Sequence, residues 1–182
     1  MKKKGFRAYL NDFRLNEQGE YIYSGALYGY RGEKPLKRLK GEILLLSLLP
    51  AACAVVSGCI PAPGMINCFY VIIPWVLEIA AAFSLIWAAV KFAGAKLPLR
   101  GYIYESTLTA FKPRCIFNCT ACILELISFC VFVILNGTGG KTAFAFGFLL
   151  LKALSAAAGV FLARFAKKAD FRVEFAPDKT KQ

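Results

Sequence analysis

Four long apolar stretches, separated by polar or turn-forming segments, dominate the pattern along the chain. The clearest covers residues 67–90, in which Glu78 is the single charged residue. Because about 20 apolar residues span the hydrocarbon core of a bilayer, this stretch predicts a transmembrane helix. The same reasoning predicts spans at residues 43–60, 115–135 and 142–163. The predicted fold class is therefore an all-α integral membrane protein, a four-transmembrane-helix bundle of two antiparallel hairpins with a small cytoplasmic β element.

The segments between these spans are short or strongly polar. Residues 61–66, which contain prolines, and residues 136–141, which contain glycines, predict two outer turns. Residues 91–114 are expected to form a cytoplasmic loop, and residues 1–42 and 164–182 are expected to be cytoplasmic terminal segments. Since neither outer turn is long enough for a domain, almost no mass is predicted on the outer side.

Three short strings with β-type composition lie outside the spans, at residues 5–10, 99–103 and 171–175. Each contains the order apolar, Arg, any residue, Tyr or Glu, apolar. We expect them to pair into one small cytoplasmic sheet, and three unrelated juxtamembrane segments are the alternative. Residues 20–24 also have strand composition, and the turn residues at 16–19 predict a hairpin between residues 20–24 and 5–10.

The composition agrees with a membrane location, and the placement of charge indicates an orientation. Hydrophobic residues make up 58% of the 182 residues, against about 45 to 50% in soluble domains. The net charge of +12 would suit nucleic acid, but the basic residues cluster before Ile43, between Lys91 and Arg114, and after Ala163. This alternation follows the positive-inside rule. It predicts a bacterial cytoplasmic (inner) membrane protein with both termini inside, and no nucleic-acid partner.

A basic stretch precedes the first span and suits a membrane surface. Its five cations are Arg31, Lys34, Lys37, Arg38 and Lys40. Lysine and arginine beside a membrane entry point attract anionic lipid headgroups, so these residues are predicted to bind headgroups on the cytoplasmic side. A simple topology determinant explains the same cluster equally well.

Three ionisable residues fall inside the predicted spans, namely Glu78, Glu125 and Lys152. Each lies near the middle of its span, so all three are expected at nearly the same depth. Charged groups at that depth are costly and usually face the interior of a bundle. Because one lysine can neutralise one carboxylate, the second glutamate is expected to retain a proton that could be exchanged.

Polar and small neighbours at helical spacing extend this predicted site. Asn118 and Ser128 share a face with Glu125, and Ser155 shares one with Lys152. The cluster is interpreted either as a packing and orientation device or as a proton or cation site. The predicted function is accordingly a non-enzymatic accessory subunit or a small transporter component, which would form a homodimer or join a larger membrane complex.

Small residues at four-residue spacing predict close contacts between two helices. They are Ala80, Ser84 and Ala88 in the second span, and Ser155, Gly159 and Ala163 in the fourth. We expect these two helices to pack closely.

The chain has seven cysteines and no histidine, which leaves two readings of its thiols open. Cys59 and Cys68 flank the first outer turn and could form a disulfide on an oxidising side. With four spans, such a pair loosely resembles the membrane thiol oxidases that pass electrons to quinones, although no outward CxxC is present. A membrane thiol-disulfide oxidoreductase is thus the alternative function. Residues 56–59 also fit a lipobox, so a lipoprotein signal is the alternative for the first span. No cofactor or metal site is predicted.

Overall fold

The computed structural model describes residues 12–16, 18–60, 65–140 and 142–175, and the statements below concern those residues. Four long helices are present: α1 Leu36–Gly58, α2 Phe69–Gly94, α3 Gly101–Asn136 and α4 Thr142–Lys168. Five short strands accompany them: β1 Phe13–Leu15, β2 Tyr21–Tyr23, β3 Leu27–Tyr30, β4 Leu99–Arg100 and β5 Phe171–Phe175. The mostly helical architecture with a small sheet agrees with the predicted fold class.

The helices form a bundle in which each packs against two neighbours. α1 lies beside α2 and α4, and α3 lies beside α2 and α4, so α2 and α4 are diagonal to each other. The predicted packing of α2 against α4 is therefore wrong. Ala80 is exposed, and a Cβ atom at Gly159 would lie 3.1 Å from the Sγ atom of Cys119 on α3. Small residues favour a close approach but do not specify which helix approaches.

Each helix is long and apolar enough to cross a membrane, as predicted. Large apolar side chains cover the outside of the bundle: Leu45 is 71% exposed, Trp87 69% and Ile134 81%. Such a continuous apolar exterior is unusual for a protein surrounded by water. It suits an environment of lipid tails.

The third helix is much longer than predicted, so the expected loop at residues 91–114 is wrong for most of its length. α2 continues to Gly94, and α3 already begins at Gly101. A π-helical segment, Glu105–Thr109, lies within its first turns. The charged side chains of Lys112 and Arg114 end the apolar stretch without ending the helix, because a formed helix propagates readily through polar residues.

A β-hairpin forms near the amino-terminal end, with a partner that differs from the prediction. β2 pairs antiparallel with β1, and the partner predicted for it, residues 5–10, lies outside the described part of the chain. The turn falls where expected. The Oδ1 atom of Asn16 accepts hydrogen bonds from the backbone N–H groups of Gln18 and Glu20, and Gly19 adopts a positive φ of 80°.

A three-stranded antiparallel sheet in the order β4, β3, β5 covers one end of the bundle. Two of the predicted strings contribute to it, although only the first two residues of 99–103 are extended. Both pair with β3, a central strand that the sequence did not predict. We call this end of the bundle the sheet end. The opposite end, where α1 leads to α2 and α3 leads to α4, is the turn end. Because β3 and β5 share a sheet, the described segments before α1 and after α4 lie at the same end.

Two apolar clusters fill the interior of the bundle on either side of its middle, one toward each end. The sheet-end cluster contains Ile43, Leu85, Phe92, Phe111 and Leu162. The turn-end cluster contains Met65, Val71, Phe129, Phe132 and Phe148. Between these two clusters, the helices have polar or small side chains on their inward faces. Three glycines, Gly137, Gly139 and Gly140, adopt positive φ in the described part of the turn that connects α3 to α4, where a turn was predicted.

One of the five predicted headgroup ligands is engaged inside the protein. The ammonium group of Lys40 donates hydrogen bonds to the carbonyl groups of Ala93 and Ala95, where α2 ends. Lys34 and Arg38 form ion pairs with Glu42 at 3.0 and 2.9 Å and remain exposed. The side chains of Arg31 and Lys37 are exposed as well. Lipid binding by the exposed four stays a prediction.

Replacing Lys40 should destabilise the sheet end, because the last carbonyl groups of α2 would lose a charged donor. We expect Lys40→Met to lower the free energy of unfolding by about 1–2 kcal/mol. Denaturant titration of the full chain in detergent micelles measures this, and Lys37→Met in the same helix is the matched control. Equal effects of the two substitutions would contradict the capping role.

Candidate functional site

Three buried ionisable side chains meet at the centre of the bundle. The ammonium group of Lys152, on α4, forms ion pairs with Glu78 on α2 and Glu125 on α3. Its Nζ atom lies 2.8 Å from the Oε2 atom of Glu125. The side chains of Glu78 and Lys152 are 0% exposed and that of Glu125 is 1% exposed. These contacts place the three groups at one level, as the sequence led us to expect, and join the diagonal pair α2 and α4.

Polar groups from the neighbouring helices complete this cluster. The hydroxyl group of Ser57, on α1, accepts a hydrogen bond of 2.6 Å from Lys152. On Glu78, the Oε1 atom accepts hydrogen bonds from the Ser155 hydroxyl at 2.8 Å and the Cys122 thiol at 3.2 Å. Ser57 and Cys122 were not in the predicted site. All four helices therefore contribute a side chain, and we call Glu78, Glu125, Lys152, Ser57, Cys122 and Ser155 the central cluster.

The two carboxyl groups have different surroundings. Glu78 accepts bonds from Lys152, Ser155 and Cys122, which is the environment of an ionised carboxylate. The Oε2 atom of Glu125 has the ion-pair contact with Lys152, but no hydroxyl, thiol or amide group of the described residues donates to this buried oxygen. Most hydrogen-bond donors of the site therefore bond to Glu78.

The charges of the central cluster balance only when one carboxyl group carries a proton. Two ionised glutamates and one lysine would leave a net charge of −1 in a dry interior, and an uncompensated buried charge costs several kcal/mol. Glu78 accepts bonds from three donors and is therefore the ionised partner, and Glu125 is the candidate proton carrier.

Two further predicted residues differ in their relation to the cluster. Asn118 is fully buried on the side of the cluster nearer the sheet end, where its Nδ2 atom lies 3.8 Å from the Sγ atom of Cys122. Its Oδ1 atom has no hydrogen-bond partner among the described residues. Ser128 lies outside the cluster, since its hydroxyl group donates to the carbonyl group of Leu124 on the same helix. Including Ser128 in the site was wrong.

A cavity of about 230 Å³ borders Glu125 on the side of the central cluster nearer the turn end. Its lining combines residues of all four helices with one residue of the short turn before α2. They are Ser57, Gly58, Met65, Val71, Ile72, Trp75, Glu125 and Phe148. Toward the sheet end, the packed side chains of the sheet-end cluster, such as Phe92 and Phe111, close the interior. Among the described residues, Glu125 therefore borders a cavity on one side and packed side chains on the other.

The cysteines do not form the predicted disulfide. Cys59 and Cys68 are not joined in the structure, nor is any other pair among the seven cysteines. Cys115, Cys119 and Cys122 lie along one stretch of α3, and no group of metal-ligating side chains is found among the described residues. The geometry thus gives no support to the thiol-disulfide oxidoreductase alternative.

No family model, curated protein or solved structure matches this chain. Its function therefore has to be inferred from the site itself.

Lys152 should be essential for stability because its removal leaves buried carboxyl groups without a cation. We expect Lys152→Met to lower the free energy of unfolding by about 3–5 kcal/mol. Adding Glu78→Gln to this variant should recover much of the loss, since the remaining carboxyl group can be protonated. Unfolding titrations in detergent micelles test both.

Lys91→Met, at an exposed position in the last turn of α2, is the matched control for the loss of a lysine. A loss for Lys152→Met no greater than for Lys91→Met would show that the ion pairs are unimportant for stability.

Proposed function

We propose that this protein is a small integral membrane component of a transport system, without enzymatic activity, whose central cluster binds and releases one proton at Glu125. The observation that carries this proposal is the joint arrangement of one lysine, two carboxyl groups and a cavity that reaches only one of those carboxyl groups. Ionisable residues inside a membrane bundle characteristically mark proton or ion pathways.

The apolar exterior and the charge distribution support a transmembrane arrangement. Four apolar helices form hairpins, and the described basic residues at the helix ends, such as Lys91, Lys112 and Arg164, belong to the end that contains the sheet. By the positive-inside rule, this end faces the cytoplasm of a bacterial inner membrane. The turn end, on whose side the cavity lies, then faces outward. The exposed Arg31 and Lys37 are placed to contact anionic headgroups on the cytoplasmic side.

A site that borders a cavity on one side only is expected for one state of a transport cycle. In secondary transporters, a site near the bilayer midplane is exposed alternately to the two sides. Here Glu125 faces a cavity on one side and the sheet-end cluster seals the other. Since four helices enclose only a small interior, the protein is proposed to act as a homodimer or within a larger membrane complex.

The proton on Glu125 is directly observable. Infrared spectra of the full chain in lipid near pH 6, where ordinary exposed carboxyl groups with pKa values of about 4 are ionised, should contain the band of one protonated carboxyl group. That band should disappear as the pH rises, because Glu125 loses its proton while Glu78 stays ionised. Glu125→Gln should remove the band, and Glu33→Gln, at an exposed carboxylate near the sheet end, should leave it unchanged. Persistence of the band in Glu125→Gln would contradict the assignment.

The Glu125→Gln variant also tests whether the central cluster acts in transport or only in packing. Reconstituted vesicles that contain the protein, with its partner subunits where it has them, should lose pH-dependent flux on Glu125→Gln while assembly on gel filtration is unchanged. Failure of Glu125→Gln to assemble, or unaltered flux, would instead assign the cluster to packing. Cys59→Ser should retain the flux, and its loss would favour the redox alternative.

A further inference from the structure

The cavity beside Glu125 has a composition that suits a particular ligand class. Its described lining is mainly apolar or aromatic, with Trp75 and Phe148 among the residues, and Glu125 is the ionisable side chain in that described set. An acidic group within apolar and aromatic walls favours a cation that carries an apolar body. Aromatic faces add to the attraction through cation–π contacts.

We propose that the cavity binds a small organic ammonium ion, whose charge replaces the proton of Glu125. This inference rests on the proposed function and names the substrate class of the same site. The ammonium group of the ligand lies against the Glu125 carboxylate, and its hydrocarbon part fills the space between Met65 and Trp75.

The carboxyl group of Glu125 is the structural reason for a cationic rather than a neutral ligand. Its Oε2 atom pairs with Lys152 at 2.8 Å, and because an ionised carboxylate has about four lone-pair sites, the group retains acceptor capacity beside the cavity that Glu125 lines. An ammonium ion has donors and no acceptor, and its charge completes the balance of the site. An anion would meet the carboxylate directly and is excluded by repulsion.

Exchange of proton for ligand conserves the charge of the central cluster. Before binding, protonated Glu125, ionised Glu78 and the Lys152 cation sum to zero. When the ammonium ion enters, Glu125 releases its proton to the solvent and the carboxylate pairs with the ligand. The sum is again zero, and no covalent bond to the ligand forms. Proton and ligand therefore compete for one carboxylate, as an antiporter requires.

The volume of the cavity limits the size of the ligand. Its volume of about 230 Å³ lies below the range of about 300–1,000 Å³ for drug-sized ligands. It far exceeds the roughly 30 Å³ that one water molecule occupies in the liquid. A compact amine such as a benzylammonium ion is the appropriate probe, and benzyl alcohol provides a neutral ligand of nearly the same shape.

Calorimetric titration of the full chain in detergent micelles tests the inference. Benzylammonium should bind saturably at one site, and benzyl alcohol should bind at least tenfold more weakly. A pH indicator in weak buffer should report up to one proton released per bound ammonium ion. Below the titration of Glu125, the apparent affinity for benzylammonium should fall about tenfold per pH unit, because proton and ligand compete.

Two substitutions locate the binding site. Glu125→Gln should weaken benzylammonium binding at least tenfold and abolish proton release. Gly58→Ala should also weaken binding, because its new methyl group would lie 2.5 Å from the Trp75 ring and push that ring toward the cavity. Gly147→Ala is the matched control, since a Cβ atom there meets no atom within 4 Å.

The outcomes distinguish this inference from the proposed function. Equal binding of benzyl alcohol and benzylammonium, or binding that Glu125→Gln leaves intact, overturns the cation site. If the infrared titration of Glu125 is observed and benzylammonium does not bind, proton exchange stands and the ligand class is wrong. If no carboxyl group titrates, both fail. Should Glu125→Gln not assemble, two other measurements still test the cation site. One is the pH dependence of benzylammonium binding to the unmodified protein, and the other is the comparison of Gly58→Ala with Gly147→Ala.

Discussion

The ion pairs of Lys152 are the interaction on which the bundle depends. This one ammonium group reaches carboxyl groups on α2 and α3 and the Ser57 hydroxyl on α1, and so connects its own helix to the other three. Between lipid-embedded helices the hydrophobic effect supplies no driving force for association, so packing and polar contacts determine which faces meet. The diagonal helices α2 and α4, which are not packing neighbours, are held in register by the Glu78–Lys152 contact.

The same interaction creates the functional asymmetry of the site. Because Lys152, Ser155 and Cys122 all donate to Glu78, that carboxylate is fixed, and its role is to hold the helices together. Glu125 is left with fewer donors and with the cavity. In the proposed function, the group that stabilises the fold and the group that exchanges its proton are thus different residues, and exchange at Glu125 would not break the Glu78–Lys152 pair.

The sequence predicted what depends on local pattern and failed where the answer depends on distant partners. Hydropathy located the four helices and put Glu78, Glu125 and Lys152 at one level. It did not identify Ser57, which lies near the end of the first span and is reached because the lysine side chain is long. Helical spacing selected Ser128 beside Glu125, yet the buried face of α3 continues through Phe129 instead. Likewise, β3 became the central strand through pairings with segments 70 or more residues away, which a single-sequence pattern does not reveal.

The sheet constrains how the cluster could open toward the sheet end. β4 leads directly into α3, β5 follows α4, and β3 pairs with both. A separation of α3 from α4 at this end must either break the short β3–β4 pairing, which contains two residue pairs, or carry the whole sheet along. Phe171 of β5 contacts Tyr104 of α3 and Phe92 of α2, so moving the sheet also disturbs the sheet-end cluster. In the proposed transport cycle, opening of the sheet-end cluster would therefore require movement of the sheet.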